Sequence, residues 1–307
     1  MGCMVQPFCV ERRIGRGVTN NPLPFPPNMQ IIGCDFSSSP SKRKPVVVAV
    51  AEAASEPAGK NTSSSNRCVL LKLLQFETLD AWSQWLQAQP SWVGGFDLPF
   101  GLPRELVEAL DWSTDWLACM QHYATLSRED IRSSFKAFCD ARPVGGKFAH
   151  RATDLPAASS PSMKWVNPPV AYMLHAGVPR LIATGCDFPG LHQGVANKVA
   201  LEAYPGLLAR EVLGKRSYKS DDKAKQTPER LIARKDLINA LELGQTRLGL
   251  RLKLTHSQRD LLVDDAKGDS LDAVLCLLQA AWAQGQGAPR YGLPPHVDPL
   301  EGWIVTA

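Results

Sequence analysis

Three short apolar runs, each ending in a carboxylate, place the strongest limit on how this chain can fold. They are QIIGCDF (30–36), SWVGGFD (91–97) and NKVALE (197–202), and their acids are Asp35, Asp97 and Glu202. Runs of this length and composition are typical of buried β-strands. The carboxyl ends of parallel strands in an α/β sheet meet at one edge, where ligands bind. If these strands are parallel, their three acids converge there.

The remaining segments predict the layers around those strands. KPVVVAVA (44–51) and RCVLLKLLQF (67–76) are strand-like and can form an antiparallel meander with the first run. TLDAWSQWLQAQ (78–89) has apolar residues at helical spacing after Thr78, an N-cap candidate. Further helices are predicted in 112–180, 226–250 and 256–284. This order of strands and helices favours an α/β layered domain.

The composition indicates one domain with two less ordered segments. Hydrophobic residues make up 44% of the 307, enough for a core. Residues 1–28 are rich in Pro and Asn, and we expect a disordered or extraneous extension before a single domain over 29–307. The polar segment 52–66 is predicted to be a mobile loop. Residues 142–196 form a long insertion with helical parts.

Several classes of protein are disfavoured. The eight cysteines form no CxxC pair, which indicates reduced, buried thiols and argues against a zinc site. No secretory signal and no run of ~18 apolar residues is visible, so we expect a cytoplasmic protein without a membrane partner. The net charge of +4 does not indicate nucleic acid by itself, although 142–180 and 210–235 are locally basic.

The stretch GDSLDAVLC (268–276) predicts the start of a buried helix that carries two acids, Asp269 and Asp272. Because the two acids are three residues apart, they share one side of the helix, and a simple cap needs only one of them. Carboxylates that pack together repel unless a divalent cation lies between them. With Asp35, Asp97 and Glu202, they predict a site for Mg²⁺ or Mn²⁺.

Each acid also has an ordinary structural explanation. Asp35 can open an Asx turn, Asp97 can be a turn residue, and Glu202 can pair with an arginine. Asp269 and Asp272 can be an N-cap and its first-turn partner, which the helix dipole favours. Their joint occurrence at the ends of elements favours the metal site.

The sequence resembles a known family, domain of unknown function 429, whose members are predicted nucleases of the RNase H-like superfamily. The similarity lies in IIGCDFS (31–37), GFDLPFGLP (95–103), EAYPGLLAREVLG (202–214) with YK (218–219), GDSLDAVLC (268–276) and EGWIV (301–305). DLPFGLP is the most specific of these. The Asp-x-x-Asp before an apolar helix also resembles the closing motif of bacterial Holliday-junction resolvases, which belong to the same superfamily.

The resemblance implies an RNase H-like fold, with a five-stranded mixed sheet, a second strand antiparallel to its neighbours and helices on both faces. It implies that Asp35 touches both metals, that Asp97 is the acid after strand four, and that Asp269 or Asp272 is the late-helix acid. Glu202 matches the acid of the family's E-x-x-P motif. The insertion 142–196 lies outside the minimal RNase H core, so its role is open.

These residues predict a metal-dependent nuclease that hydrolyses phosphodiester bonds of nucleic acid. Asp35, Asp97 and either or both of Asp269 and Asp272 would bind two Mg²⁺ or Mn²⁺ ions, with help from Glu202, for attack by water on phosphorus. The predicted substrate-binding residues are Lys164, Lys219, Arg151, Arg216 and Tyr218. Trp165 and Tyr218 can stack on bases, although core or rim packing is their more ordinary role. SKRK (41–44) is predicted to lie in the turn between the first two strands, near Asp35.

Two other functions stay open. A catalytically silent module of the same fold would bind nucleic acid without turnover. A phosphotransferase of the actin and sugar-kinase type also starts with a strand-end Asp, but it needs Gly-rich phosphate loops, and the first loop here, DFSSSPSKRK (35–44), has no glycine. The sequence does not separate DNA from RNA as the substrate, and it does not give the oligomeric state.

Overall fold

The strand-like runs form one mixed sheet in the computed structural model, which describes residues 29–52 and 66–307. Seven strands are present: β1 Gln30–Asp35, β2 Val46–Glu52, β3 Arg67–Phe76, β4 Trp92–Asp97, β5 Cys186–Asp187, β6 Val195–Glu202 and β7 Arg251–Lys253. They lie side by side in the order β5-β6-β4-β1-β2-β3-β7. The predicted extension 1–28 and most of the predicted loop 52–66 lie outside the described residues.

The five-strand prediction is wrong in its count, because a short strand is added at each edge of the sheet. β5 has two residues and pairs with β6, whereas β7 has three residues and pairs with β3. Neither is long enough to show the alternation by which a strand is recognised in sequence. The α/β class, the mixed sheet and the helices on both faces are confirmed.

The predicted strand directions are confirmed. β2 is antiparallel to both β1 and β3, which makes the meander. β4 is parallel to both β1 and β6, so the three acid-ending strands share one direction. β2 is apolar almost throughout because Val46, Val48 and Val50 face one core while Val47 and Ala49 face the other.

Ten helices in the described part of the chain cover the two faces of the sheet. They are α1 Leu79–Ala88, α2 Arg104–Ala109, α3 Trp116–Thr125, α4 Arg128–Asp140, α5 Asp154–Ala157, α6 Val170–Ile182, α7 Pro205–Leu213, α8 Pro228–Leu243, α9 His256–Asp264 and α10 Asp269–Gln286. Helices α7 to α10 contribute to one core, and α1 to α4 with α6 contribute to the other. The Thr78 side chain caps α1 by accepting a hydrogen bond from the N–H of Ala81 at 3.2 Å.

Helix α10 packs directly on the centre of the sheet because two strands carry glycine beneath it. A Cβ at Gly33 would lie 2.1 Å from the Ala273 carbonyl oxygen, and one at Gly95 would lie 2.6 Å from that of Cys276. Only glycine allows this approach of helix and strand backbones. The contact fixes the first turn of α10 beside the carboxyl ends of β1 and β4.

The long insertion 142–196 is part of the packed domain. It contains α5, α6 and β5, and Met163, Leu174 and Leu181 belong to the core on the α6 side. The six cysteines of the described residues are free and buried, as predicted for reduced thiols. No helix in residues 29–52 and 66–307 combines the length and apolar character needed to cross a membrane.

Candidate metal and phosphate site

Asp35 and Asp97 end two neighbouring parallel strands in direct register. Both line a cavity of about 430 Å³ at the carboxyl edge of the sheet, and Asp35 is only 8% exposed. Among the described residues, no donor lies within hydrogen-bonding distance of either carboxylate. A nearly buried carboxylate without a partner is unfavourable, and this pair faces the space where a cation would relieve it.

The electrostatics of this pair follow from burial and from like charges. Burial raises the pKa of Asp35 well above its usual range, and the negative charges of Asp272, Asp97 and Asp269 raise it further, against the opposing charge of Lys219. Burial first, and then Asp272, raise the pKa of Asp97 to about 7. The two carboxyls therefore hold protons more tightly than ordinary aspartates do, and they release them when positive charge enters the cavity.

The two late-helix acids differ from this pair because each already contacts a lysine. The Lys219 ammonium and the Tyr218 hydroxyl both donate to the carboxylate of Asp272, which is fully buried. Lys44 Nζ donates to Asp269 Oδ1 at 2.7 Å. The SKRK segment (41–44) therefore lies near the acids, as predicted, and its last residue, Lys44, contacts one of them.

The cap of α10 shows that neither acid is its N-cap, although both lie in the first turn, where the helix dipole favours acids. The N-cap residue is Gly268, in the left-handed region with a φ of 77°. Asp265 serves the helix start instead, since its Oδ2 accepts from the N–H of Ser270 at 2.8 Å. A Cβ at Gly268 would meet Lys219 Cβ at 2.8 Å, so glycine also makes room for the lysine. Asp269 and Asp272 therefore occupy the first turn without capping it.

Glu202 forms a buried ion pair with Arg151, so the ordinary structural explanation for this acid, pairing with an arginine, holds. The Arg151 guanidinium donates to both Glu202 carboxylate oxygens, at 2.6 and 2.8 Å, and Asp154 accepts from the same guanidinium at 2.9 Å. Burial raises the pKa of Glu202, and the charge of Arg151 opposes this. Glu202 Oε2 also accepts from the N–H of Phe100 at 2.9 Å. The pair thereby fixes the turn that follows Asp97.

The C-terminal segment (residues 298–305) closes this side of the site. Glu301 Oε2 accepts from the N–H of Ala152 at 2.9 Å, and its other oxygen accepts from the first backbone N–H of α2. The N–H of Val305 donates to the Glu202 carbonyl oxygen at 2.8 Å. The terminal EGWIV motif therefore ties the insertion, α2 and β6 together.

The other predicted substrate-binding residues do not gather at the cavity. Arg216 is exposed and pairs with Asp236 at 2.6 Å. Lys164 is half-buried and does not line the cavity, and Trp165 packs edge-on against Phe148 with 5.5 Å between ring centroids. Tyr218 is buried with its hydroxyl on Asp272, so its ring offers no open face to a base. Of that set, only Lys219 and Arg151 line the cavity.

One wall of the cavity was not predicted from the sequence. It comes from the insertion and includes Ser159, Asn167, Pro168, Val170 and Met173. No local sequence pattern predicts this wall, because the segment from 158 to 169 has almost no regular structure. The helices on either side of the segment position it. The insertion therefore shapes the site, although it lies outside the core that the resemblance implies.

The residues present fit one way of holding a divalent cation. Within residues 29–52 and 66–307, no three His, Cys, Asp or Glu side chains are spaced as a preformed metal site. Mg²⁺ is commonly held by only one or two carboxylates together with waters and substrate phosphates. Asp35 and Asp97 supply that donor set and face the cavity.

Comparison of the chain with models of protein families, with curated proteins and with solved structures finds no match. The resemblance to domain of unknown function 429 accordingly rests on the motifs themselves.

Proposed function

We propose that this protein is a metal-dependent nuclease that hydrolyses phosphodiester bonds at the cavity between β1, β4 and the insertion. The observation that carries the proposal is the pair Asp35 and Asp97. Asp35 is more than nine-tenths buried, faces the cavity, and has no partner among the described residues. Mg²⁺ or Mn²⁺ bound by this pair would supply a Lewis acid for a phosphoryl oxygen.

The side chains of the cavity suit the rest of the reaction. In hydrolysis, a water oxygen bonds to phosphorus, the ester P–O bond breaks, and the leaving oxygen takes up a proton. Lys44 and Lys219 line the cavity beside the acids, so their ammonium groups can offset the charge of the phosphate. Glu202 and Arg151 act as positioning residues, because their pair fixes the turn after Asp97.

The directions of the five long strands are those that the resemblance implies, and they support the same function. β2 is antiparallel to both of its neighbours, and β1, β4 and β6 are parallel, as the resemblance implies. We propose that β5, β7 and the insertion are additions to an RNase H-like core. Because fold does not imply function, the proposal depends on the site.

The test is cleavage of single-stranded, duplex and branched DNA and RNA with Mg²⁺, with Mn²⁺ and with EDTA. We expect cleavage that needs the metal and falls by at least ~100-fold in Asp35→Asn and in Asp97→Asn. Asp236→Asn is the matched control, since it removes the same charge from an exposed pair outside the cavity. Absence of cleavage of every substrate by the wild type would overturn the proposal.

Binding without turnover is the second candidate, and one observation favours it. Lys219 and Lys44 already neutralise Asp272 and Asp269, as expected of a site that has lost part of its metal chemistry. This candidate predicts nucleic-acid affinity that survives Asp35→Asn, together with no metal-dependent turnover in the wild type.

A further inference from the structure

A basic groove on helix α4 lies beside the candidate site. Its volume is about 450 Å³, and it is lined by Arg128, Glu129, Arg132, Ser133, Lys136 and Tyr172. The three basic residues recur every four positions, so they share one face of the helix. Arg132 is exposed, and no hydrogen bond or ion pair from its side chain is found within the described part of the chain, whereas Lys136 forms an exposed ion pair with Asp140 that a phosphate would have to displace. Such a face attracts phosphates.

The groove lies next to the cavity, since the residues that line the two are joined at two places. Tyr172 of α6 lines the groove, and the next residue, Met173, lines the cavity. Arg128 donates to the Ser38 carbonyl oxygen at 3.0 Å, and Ser38 lines the cavity too. The Arg128 guanidinium lies 5.0 Å from the Tyr172 ring centroid, which holds the two sides together.

We propose that this groove binds a single strand of nucleic acid and leads it into the cavity, an inference that rests on the proposed nuclease function. The cavity of about 430 Å³ has the size of a small-molecule pocket, about 300–1,000 Å³. Asp35 within it is only 8% exposed. A cavity of this size suits a single nucleotide better than a stacked duplex, which would have to unpair to enter it.

The test is fluorescence anisotropy of a labelled single-stranded oligonucleotide in EDTA at several salt concentrations. We expect Arg132→Gln/Lys136→Gln to weaken binding and to reduce the slope of log K against log salt by ~1.4, because each lost phosphate contact on a single strand contributes ~0.7. The matched control, Arg67→Gln/Lys72→Gln, removes two exposed charges from β3 and should bind as the wild type does.

Two results would overturn the proposal that the groove binds a single strand. One is an unchanged salt slope in the α4 variant, and the other is a blunt duplex bound as tightly as the single strand. Failure of the nuclease proposal is distinguishable, since the groove would then still bind the strand while no metal produces cleavage. A wild type that binds no nucleic acid would overturn both.

The paired lysines carry a second, independent inference about the metal. Of four acids that the sequence assigns to two ions, only Asp35 and Asp97 lack a partner among the residues described. Asp272 is fully buried, and Lys219 reaches it across the Gly268 backbone. Removing that lysine would leave an uncompensated buried charge. Lys219 is therefore held where it is, and the carboxylate is not available to an ion.

We infer that the site takes one divalent ion, between Asp35 and Asp97, and that Lys219 supplies the positive charge that a second ion would bring. A second ion ~3.5–4 Å from the first would need further carboxylates to hold it. In this chain those carboxylates are the late-helix acids, which bind lysines. This inference depends on the proposed function only for which divalent ion binds.

The test is Mn²⁺ binding to the full chain, followed by electron paramagnetic resonance. We expect one tight Mn²⁺ in the wild type, none in Asp35→Asn, and two in Lys219→Gln, where Asp272 is freed. Asp272→Asn added to Lys219→Gln should return the count to one. Lys215→Gln, an exposed neighbour with the same charge change, should keep it at one.

The number of tight Mn²⁺ ions in the wild type tests the single-ion inference even if Lys219→Gln does not fold. Two tight ions in the wild type would overturn the single-ion inference and leave the nuclease proposal standing. No tight ion would overturn the single-ion inference, whereas the nuclease proposal would still be decided by cleavage. A folded Lys219→Gln that still binds one ion would show that the lysine does not stand in for the second.

Discussion

At the scale of single residues, the site joins two kinds of buried carboxylate. Asp35 and Asp97 form no hydrogen bond or ion pair within the described residues and feel the charge of Lys219 only from a distance, whereas Asp269 and Asp272 each contact a lysine. The first kind disfavours the folded state unless a proton or a cation arrives. The second is already neutralised. A sequence pattern cannot separate the two kinds, because all four acids occur at the ends of elements.

The raised pKa of Asp97 makes stability fall as pH rises. Its folded pKa is about 7, against about 3.9 for an unfolded aspartate, so the carboxyl is neutral in both states below pH ~4 and charged in both above pH ~7. The penalty on the folded state therefore develops between pH ~4 and ~7. We expect Asp97→Asn to raise the melting temperature at pH 8 in EDTA by at least roughly 2–4 °C, about 1 kcal/mol.

The comparison at pH 4 is the control for Asp97→Asn, because the wild-type carboxyl is then protonated and the gain should vanish. Calorimetry at both pH values measures the difference. An equal or lower melting temperature of the variant at pH 8 would contradict the assignment of a raised pKa.

The ion pair of Arg151 with Glu202 should matter for stability because it is buried. Removing one partner of such a pair leaves an unpaired charge and costs about 3–5 kcal/mol. We expect Arg151→Met to lower the free energy of unfolding by that amount in urea titrations. Arg216→Met breaks an exposed pair and should cost about 0–1 kcal/mol. Similar losses in both variants would show that burial of the first pair has no energetic effect.

At the scale of elements, long strands could be predicted and short ones could not. β1, β2 and β4 carry their own apolar patterns, so sequence identified them within two residues. β5 and β7 have two and three residues and exist because a neighbouring strand edge holds them. The first turn of α10 was predicted as an acidic helix start, but its glycine cap was not.

Two glycines near α10 should respond to alanine in opposite ways. At Gly33 the new Cβ would meet the α10 backbone at 2.1 Å, so we expect a loss of several kcal/mol, on the order of the larger single-residue effects. At Gly285, inside α10, nothing lies within 4 Å, so alanine should add about 0.5–1 kcal/mol of stability. Chemical denaturation of the two variants measures both signs. A tolerated Gly33→Ala would contradict the close packing of α10 on β1.

At the scale of the whole molecule, the convergence of Asp35 with Asp97 was predictable and their surroundings were not. Convergence follows from parallel strands with acids at their ends. The pairs that surround them join residues 53 apart, as for Lys219 and Asp272, or 51 apart, as for Arg151 and Glu202. No local pattern encodes such pairings, since they arise when the two layers of helices close on the sheet.

A cation that binds the folded chain alone should stabilise it as a whole. Binding at 100 times the dissociation constant adds about 2.7 kcal/mol, because the unfolded chain has no assembled site. We expect Mg²⁺ or Mn²⁺ to raise the melting temperature of the wild type and to leave that of Asp35→Asn unchanged. Differential scanning fluorimetry with Ca²⁺ and with EDTA separates this from an effect of ionic strength. Equal shifts in both proteins would place the ion elsewhere.

The C-terminal segment has a consequence for how the protein is made. Residues 298–305 hold Ala152 and Glu202 in place, yet they leave the ribosome long after Asp35 and Asp97 have been synthesised. Domains begin to fold during synthesis from the N-terminal side. An unfinished chain therefore carries both acids without the contacts that fix the turn and the insertion around them. With the proposed function, we expect a nascent chain that has not yet reached residue 298 to carry both acids without cleaving nucleic acid.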